Sequence, residues 1–251
     1  MSTLPYTLTQ ADLEFHSSMM LEHTIFLHLA IEEEPFKTQS FEQYQQWRQY
    51  VEQGYPELQL SSLVEQLRTL KTGILEQLLS GRWVGWLSIS FMRYILEELD
   101  EFALKISGQR PTVAIMALQS WRLMIDHLED AESKIDPIET YFKQQARELL
   151  TSMPQTMRRL AHRSYNSQQL LTDYQEEIGR SSDDVQWIIG SALKAGEDID
   201  KFLDSIEKYK PKTTIHPLLL THWRKEGHYR LQELAVASVE ILGRNDLSPL
   251  G

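Results

Sequence analysis

The chain contains no cysteine. Disulfides and thiolate metal sites are excluded, so any metal must be held by His, Asp, Glu or water. Glycine and proline are sparse, 11 and 9 among 251 residues. They fall where helices should stop and form no flexible linker. No apolar run approaches the length of a membrane span, which predicts no membrane partner. A basic leader is also missing, because the first fifteen residues carry Asp12 and Glu14 instead, so no signal peptide and a soluble cytoplasmic protein are expected. The formal net charge of -11 excludes the basic footprint that duplex nucleic acid needs. It serves solubility and is compatible with cation binding. No phosphate loop, dinucleotide fingerprint or nucleophile elbow occurs.

What is present is helical periodicity. Hairpin dipeptides are absent and β-branched residues are scattered, so nothing reads as a strand. The pattern predicts eight helices in two sets of four. The first runs from Thr9 or Gln10 to about Ile31, with Leu13, His16, Met20, His23 and Leu27 in one row. The second covers about Ser40 to Gln53, and the third about Leu60 to Leu79, ended by Gly81. The fourth covers about Gly85 to Ile106. In the second set, a fifth helix spans about Thr112 to Ser133. Asp136-Pro137-Ile138-Glu139 has the form of a capping box for a sixth, which runs to Leu150 and resumes after Pro154. A seventh covers about Ser167 to Lys208, with an interruption between Gly179 and Asp184 where Ser182, Asp183 and Asp184 resemble a fresh N-cap. The eighth runs from Pro217 to Leu242, and Gly243 and a polar tail follow. The expected fold is all-α: two tandem, mutually packed four-helix bundles, residues 1–109 and 110–251.

An internal repeat supports that division. Met20-Leu21-Glu22-His23 recurs 104 residues later as Met124-Ile125-Asp126-His127, and Glu34-Pro35 recurs in outline as Asp136-Pro137-Ile138-Glu139. Each copy sets a carboxylate beside an imidazole in the middle of an apolar helix. An unpartnered carboxylate there is costly, so metal binding or tight pairing is expected. Adjacent Glu and His point about 100° apart, so one of each pair should approach the ion and the other support it. A third cluster, His222-x-x-x-Glu226, puts both side chains on one helix face, where they can share an ion. The matching place in the first half has Glu98 aligned with Glu226 but Tyr94 in place of the imidazole, a weaker ligand set. His16 is a further ligand or a polar group at a helix seam. His28 and His228 are expected at the surface or rim, and Asp198, Asp200 and Asp204 in water. Arg158, Arg159, His162 and Arg163 make a basic patch too short to bind nucleic acid.

Phe15-His16-x-x-Met19-Met20-x-Glu22-His23-x-x-Phe26-Leu27 resembles the opening helix of an uncharacterised, mainly bacillar ferritin-like family, whose usual form is Phe-Trp-x-x-x-Met-x-Glu-His-x-x-Phe. Ile135-Asp136-Pro137-Ile138-Glu139 and Ile215-His216-Pro217-Leu218-Leu219-x-x-His222-x-x-x-Glu226 resemble later segments of it. The resemblance implies duplicated four-helix bundles and a bound metal. By motif match it carries over Glu22, His23, Asp126, His127, His222 and Glu226, with Glu98. The chain departs from the family at Asp126, where Glu is usual, at Tyr94, where His is usual, and at His16, where Trp is usual.

Three functions follow as expectations. The first is a ferritin-like metal-binding protein holding one or two Fe or Mn ions, with an oxidase- or oxygenase-like activity if an open coordination position exists. The second is a non-catalytic helical interaction protein whose buried polar groups set register. A metal-dependent hydrolase is the third. The metal ion is the expected partner, and a homodimer is compatible with the sequence.

Overall fold

The computed structural model describes residues 3–163, 167–178 and 182–242. They are about 80% helix and divide into two compact units, Ser2–Pro111 and Thr112–Gly251. Among the described residues no helix is long and apolar enough to cross a membrane.

The first unit contains β1 (Thr3–Pro5), α1 (Gln10–Ala30), α2 (Phe36–Glu52), α3 (Glu57–Leu79), α4 (Ile89–Ile106) and β2 (Gln109–Pro111). Helix α1 packs on α2 and α4, and α3 on α2 and α4. Thr9 starts α1 with a capping box: its hydroxyl accepts from the Asp12 N–H, and the Asp12 carboxylate accepts from the Thr9 N–H at 2.8 Å. Thr9→Ala should therefore cost about 1 kcal/mol, read from the urea midpoint. The core is built from all four helices, including Met20, Leu27, Trp47, Tyr50, Leu67, Ile74, Ile95 and Leu99. Two short strands, β1 and β2, pair antiparallel, which corrects the strand-free expectation. Three-residue strands carry no period-2 pattern to read, and these two are brought together only by the helices between them.

The second unit contains α5 (Val113–Lys134), α6 (Thr140–Ser152), α7 (Gln155–Arg163), α8 (Ser167–Ile178), α9 (Ser182–Tyr209) and α10 (Pro217–Leu242). Helix α5 is central and packs on α6, α7, α8, α9 and α10. Its buried residues run almost without interruption from Val113 to Leu128, as a helix surrounded by others requires. The described residues thus hold ten helices where the periodicity predicts eight. Pro154 separates α6 from α7, and α8 and α9 are distinct. Residues 179–181 of the expected interruption, the Ser182–Asp184 side chains, the His162 and Arg163 side chains, and the tail from Gly243 lie outside the described residues.

The expected capping box at Asp136–Glu139 does not form. Helix α6 begins at Thr140, and Glu139 makes no side-chain cap. Glu139 Oε1 instead accepts from the Lys212 N–H at 2.9 Å, and Asp136 meets Lys212 Nζ at 2.8 Å. Asp136 Oδ1 keeps a local bond from the Ile138 N–H at 3.0 Å, while Lys212, far along the chain, takes Glu139 and the other Asp136 oxygen. Lys212 accordingly holds the Asp136 carboxyl below its ordinary range.

The two units repeat one junction. In the first, Trp86 N–H donates to Ala30 O and Glu32 N–H to Val84 O, around a bridge between Ile31 and Gly85. In the second, Thr214 N–H donates to Lys134 O and Asp136 N–H to Lys212 O, around a bridge between Ile135 and Thr213. A shift of 104 residues maps the α1 side onto the α5 side, and a shift of 128 maps the α4 side onto the α10 side.

Candidate metal-binding site

The same two shifts relate the buried polar groups. His23 on α1 maps to His127 on α5, and Glu98 on α4 maps to Glu226 on α10. All four are buried, and they meet pairwise inside their own units. His23 Nε2 lies 2.9 Å from Glu98 Oε2, and His127 Nε2 lies 3.8 Å from Glu226 Oε2. In each adjacent acid–imidazole pair the imidazole turns inward. Glu22 and Asp126 are half-buried and are engaged along their own helices. Ser18 Oγ donates to Glu22 Oε1 at 3.5 Å, and Arg122 Nε is 4.0 Å from Asp126 Oδ2.

The first unit sets one buried lysine beside its pair. Lys71 on α3 is fully buried, with Nζ 3.1 Å from His23 Nδ1 and 2.7 Å from Ile95 O. An ammonium can only donate. With Lys71 charged, His23 Nδ1 accepts from its ammonium, and His23 Nε2 stands 2.9 Å from the Glu98 carboxylate. Burial lowers the Lys71 pKa to about 7, against the attraction of Glu98 and Asp100. A second lysine, Lys105, is also buried. Its Nζ lies 3.0 Å from His16 Nε2 and 3.6 Å from Glu101, while the His16 ring stacks on Phe102 at 4.8 Å. His16 therefore belongs to a lysine-centred cluster separate from the His23–Glu98 contact.

The second unit differs. Among its described residues no lysine is buried. His222 and Glu226 on α10 are both buried, one helical turn apart. The His127 ring stacks on Trp223 with centroids 5.0 Å apart, and Arg230 Nε lies 3.6 Å from Glu226 Oε1. Glu226 thus turns one oxygen to an imidazole and the other to a guanidinium. The His127 imidazole and the Glu226 carboxylate are donors suited to Fe or Mn, and His222 is buried on the same helix one turn before Glu226.

The other acids and imidazoles fall as follows. His228 is exposed, and its Nε2 is 2.9 Å from Asp200. His28 is half-buried against Phe41. Asp198 and Asp204 are exposed, as expected, although Asp204 meets Arg224; Asp200, which also meets Arg224, is half-buried. Sequence reasoning missed Lys71, Lys105 and Arg230. A signal for Lys71 exists: it stands four residues after Leu67 and three before Ile74, on the apolar face of α3.

No family model matches the chain. A solved structure of an uncharacterised protein from Bacillus cereus G9241 superposes with a TM-score of 0.73, covering 90% of this chain and 89% of that one at 14% identity. In sequence, "Uncharacterized protein L567" of Acanthamoeba polyphaga mimivirus is 23% identical over 262 residues, covering 89% of this chain and 80% of the relative. The chain is thus an all-helical protein whose relatives are of unknown function. The structural likeness shows a shared fold and carries no activity.

Proposed function

We propose that the chain is a duplicated, ferritin-like metal-binding protein that holds Fe or Mn in its second unit through His127 and Glu226, with His222, one turn before Glu226 on the same helix, as a further donor. The observation that carries this reading is the recurrence of one buried imidazole–carboxylate contact, His23–Glu98 and His127–Glu226, at positions related by the same shifts as the backbone junction. Metal–ligand bonds of about 2.1 Å put two donors to one ion roughly 3–4 Å apart, which the 3.8 Å between His127 and Glu226 satisfies. Asp126 and Glu22 lie on the helix flank, engaged by Arg122 and Ser18, and the proposed ion is held without them.

His23 and Glu98 form the second position, where Lys71, when protonated, places a positive charge beside His23 that opposes a second cation. That chain of lysine, imidazole and carboxylate favours a second reading for the first unit alone, a metal-free polar network that sets helix register. A bound ion with an open position would supply Lewis-acid or dioxygen chemistry, the oxidase- or oxygenase-like form of the proposal.

Metal analysis of the purified protein tests the reading. Growth in metal-replete medium should yield roughly one Fe or Mn per chain, lost in the double variant His222→Ala, Glu226→Ala. The same variant should keep the helical circular dichroism of the parent. A parent protein that carries no metal would defeat the proposal.

A further inference from the structure

Beside His127 the second unit contains a cavity of about 20 Å³. Met124, Ile199, Leu203 and Trp223 supply walls, and the surface presented is almost wholly apolar. Asp200, Arg224 and His228 stand at its solvent side. Their charged ends engage one another, with Asp200 2.9 Å from His228 and 3.5 Å from Arg224.

The repeat explains why this space exists. Under the shifts that match the two units, Leu99 of α4 corresponds to Gly227 of α10, and His16 of α1 corresponds to Ser120 of α5. Leu99 is fully buried, whereas Gly227 and Ser120 both line the cavity. A Cβ added at Gly227 would meet nothing within 4 Å. Packing therefore does not require glycine there, and a glycine inside a helix weakens it. Gly196, on the facing helix, is different: its Cβ would strike Leu231 at 2.4 Å, so close packing accounts for it.

We infer that Gly227 keeps open a dry chamber beside His127 that admits one small apolar molecule of dioxygen size. The volume holds about one water-sized guest, and although Ser120, His127 and Arg230 also line it, the surface it presents is almost wholly apolar, which offers water few hydrogen-bond partners and suits an apolar gas. The chamber's role as an approach to a bound ion rests on the metal reading above. The chamber itself does not, which allows the two to fail separately.

Xenon is the probe, followed by NMR on metal-depleted full-length protein. The parent should show saturable xenon binding, and Gly227→Leu, which installs the first unit's residue, should weaken it by about tenfold or abolish it. Gly227→Ala should retain binding and should raise the melting temperature, which guards against a Leu variant that merely unfolds. Xenon binding equal in parent and Gly227→Leu, or absent from the parent, overturns the inference. Metal content is measured on parallel undepleted samples. Xenon binding in a parent that never carries metal supports the chamber and overturns only the metal reading.

Discussion

Between pH 7 and pH 10 the unfolding free energy should rise by an amount on the order of 4 kcal/mol, and in Lys71→Met that rise should vanish. The folded pKa of Lys71 is about 7, below its ordinary 10.5, because burial opposes the charged form. Above pH 7 the native amine has lost its proton while the unfolded chain still holds it. The unfolded state then binds more protons, so stability climbs with pH. Below pH 7 both states are protonated, and the native state bears the full penalty of a buried ammonium. Tyr50, raised to about 12, does not interfere, because its phenol stays protonated in both states up to about pH 10. Urea unfolding at four pH values in the presence of a chelator measures the slope. Equal slopes in parent and Lys71→Met would show that Lys71 is not the group responsible. Methionine is unbranched, apolar and of similar length, so the variant removes the charge with little change in packing.

Gly85→Ala should destabilise by an amount on the order of 3–4 kcal/mol, whereas Gly81→Ala should cost only about 1 kcal/mol. A Cβ on Gly85 would lie 2.0 Å from Ala30 O and 2.8 Å from Ile31 Cα. Both are backbone atoms of the junction that ties the end of α1 to the start of α4, so no side-chain rotation relieves the overlap. Gly81 is left-handed, with φ +77°, but a Cβ there meets nothing. Its replacement meets only the ordinary left-handed penalty. Denaturant midpoints of the two variants, measured side by side, decide the matter. A Gly85→Ala protein as stable as Gly81→Ala would mean that the junction yields.

These two glycines also mark how far the sequence can be read. Gly81 was legible as a helix stop, because the apolar period of α3 ends just before it. Gly85 was not, because what forbids a side chain there is a carbonyl on another helix. The span of α10, Pro217–Leu242, and the start of α1 after Thr9 followed from local caps and periodicity, and the structure has both. At Asp136–Glu139 the same kind of local reasoning failed. Asp136 keeps its bond from the Ile138 N–H, but Lys212, a residue distant in sequence, engages Glu139 and Asp136, so the reciprocal half of the box is missing.

The candidate site divides in the same way. Its residue types, their repeat and their helical faces were visible in the chain, since a helix face is determined by spacing alone. That His23 and His127 turn inward while Glu22 and Asp126 lie on the flank was left open, because adjacent residues differ by a rotation that only neighbouring helices resolve. The sequence alone therefore determined an all-helical chain with paired acids and imidazoles at repeated positions, because periodicity and spacing are local properties. Only the tertiary structure decided that a lysine fills the space beside one imidazole and a cavity lies beside the other. That contrast depends on which side chains distant helices bring together, and no local pattern encodes it.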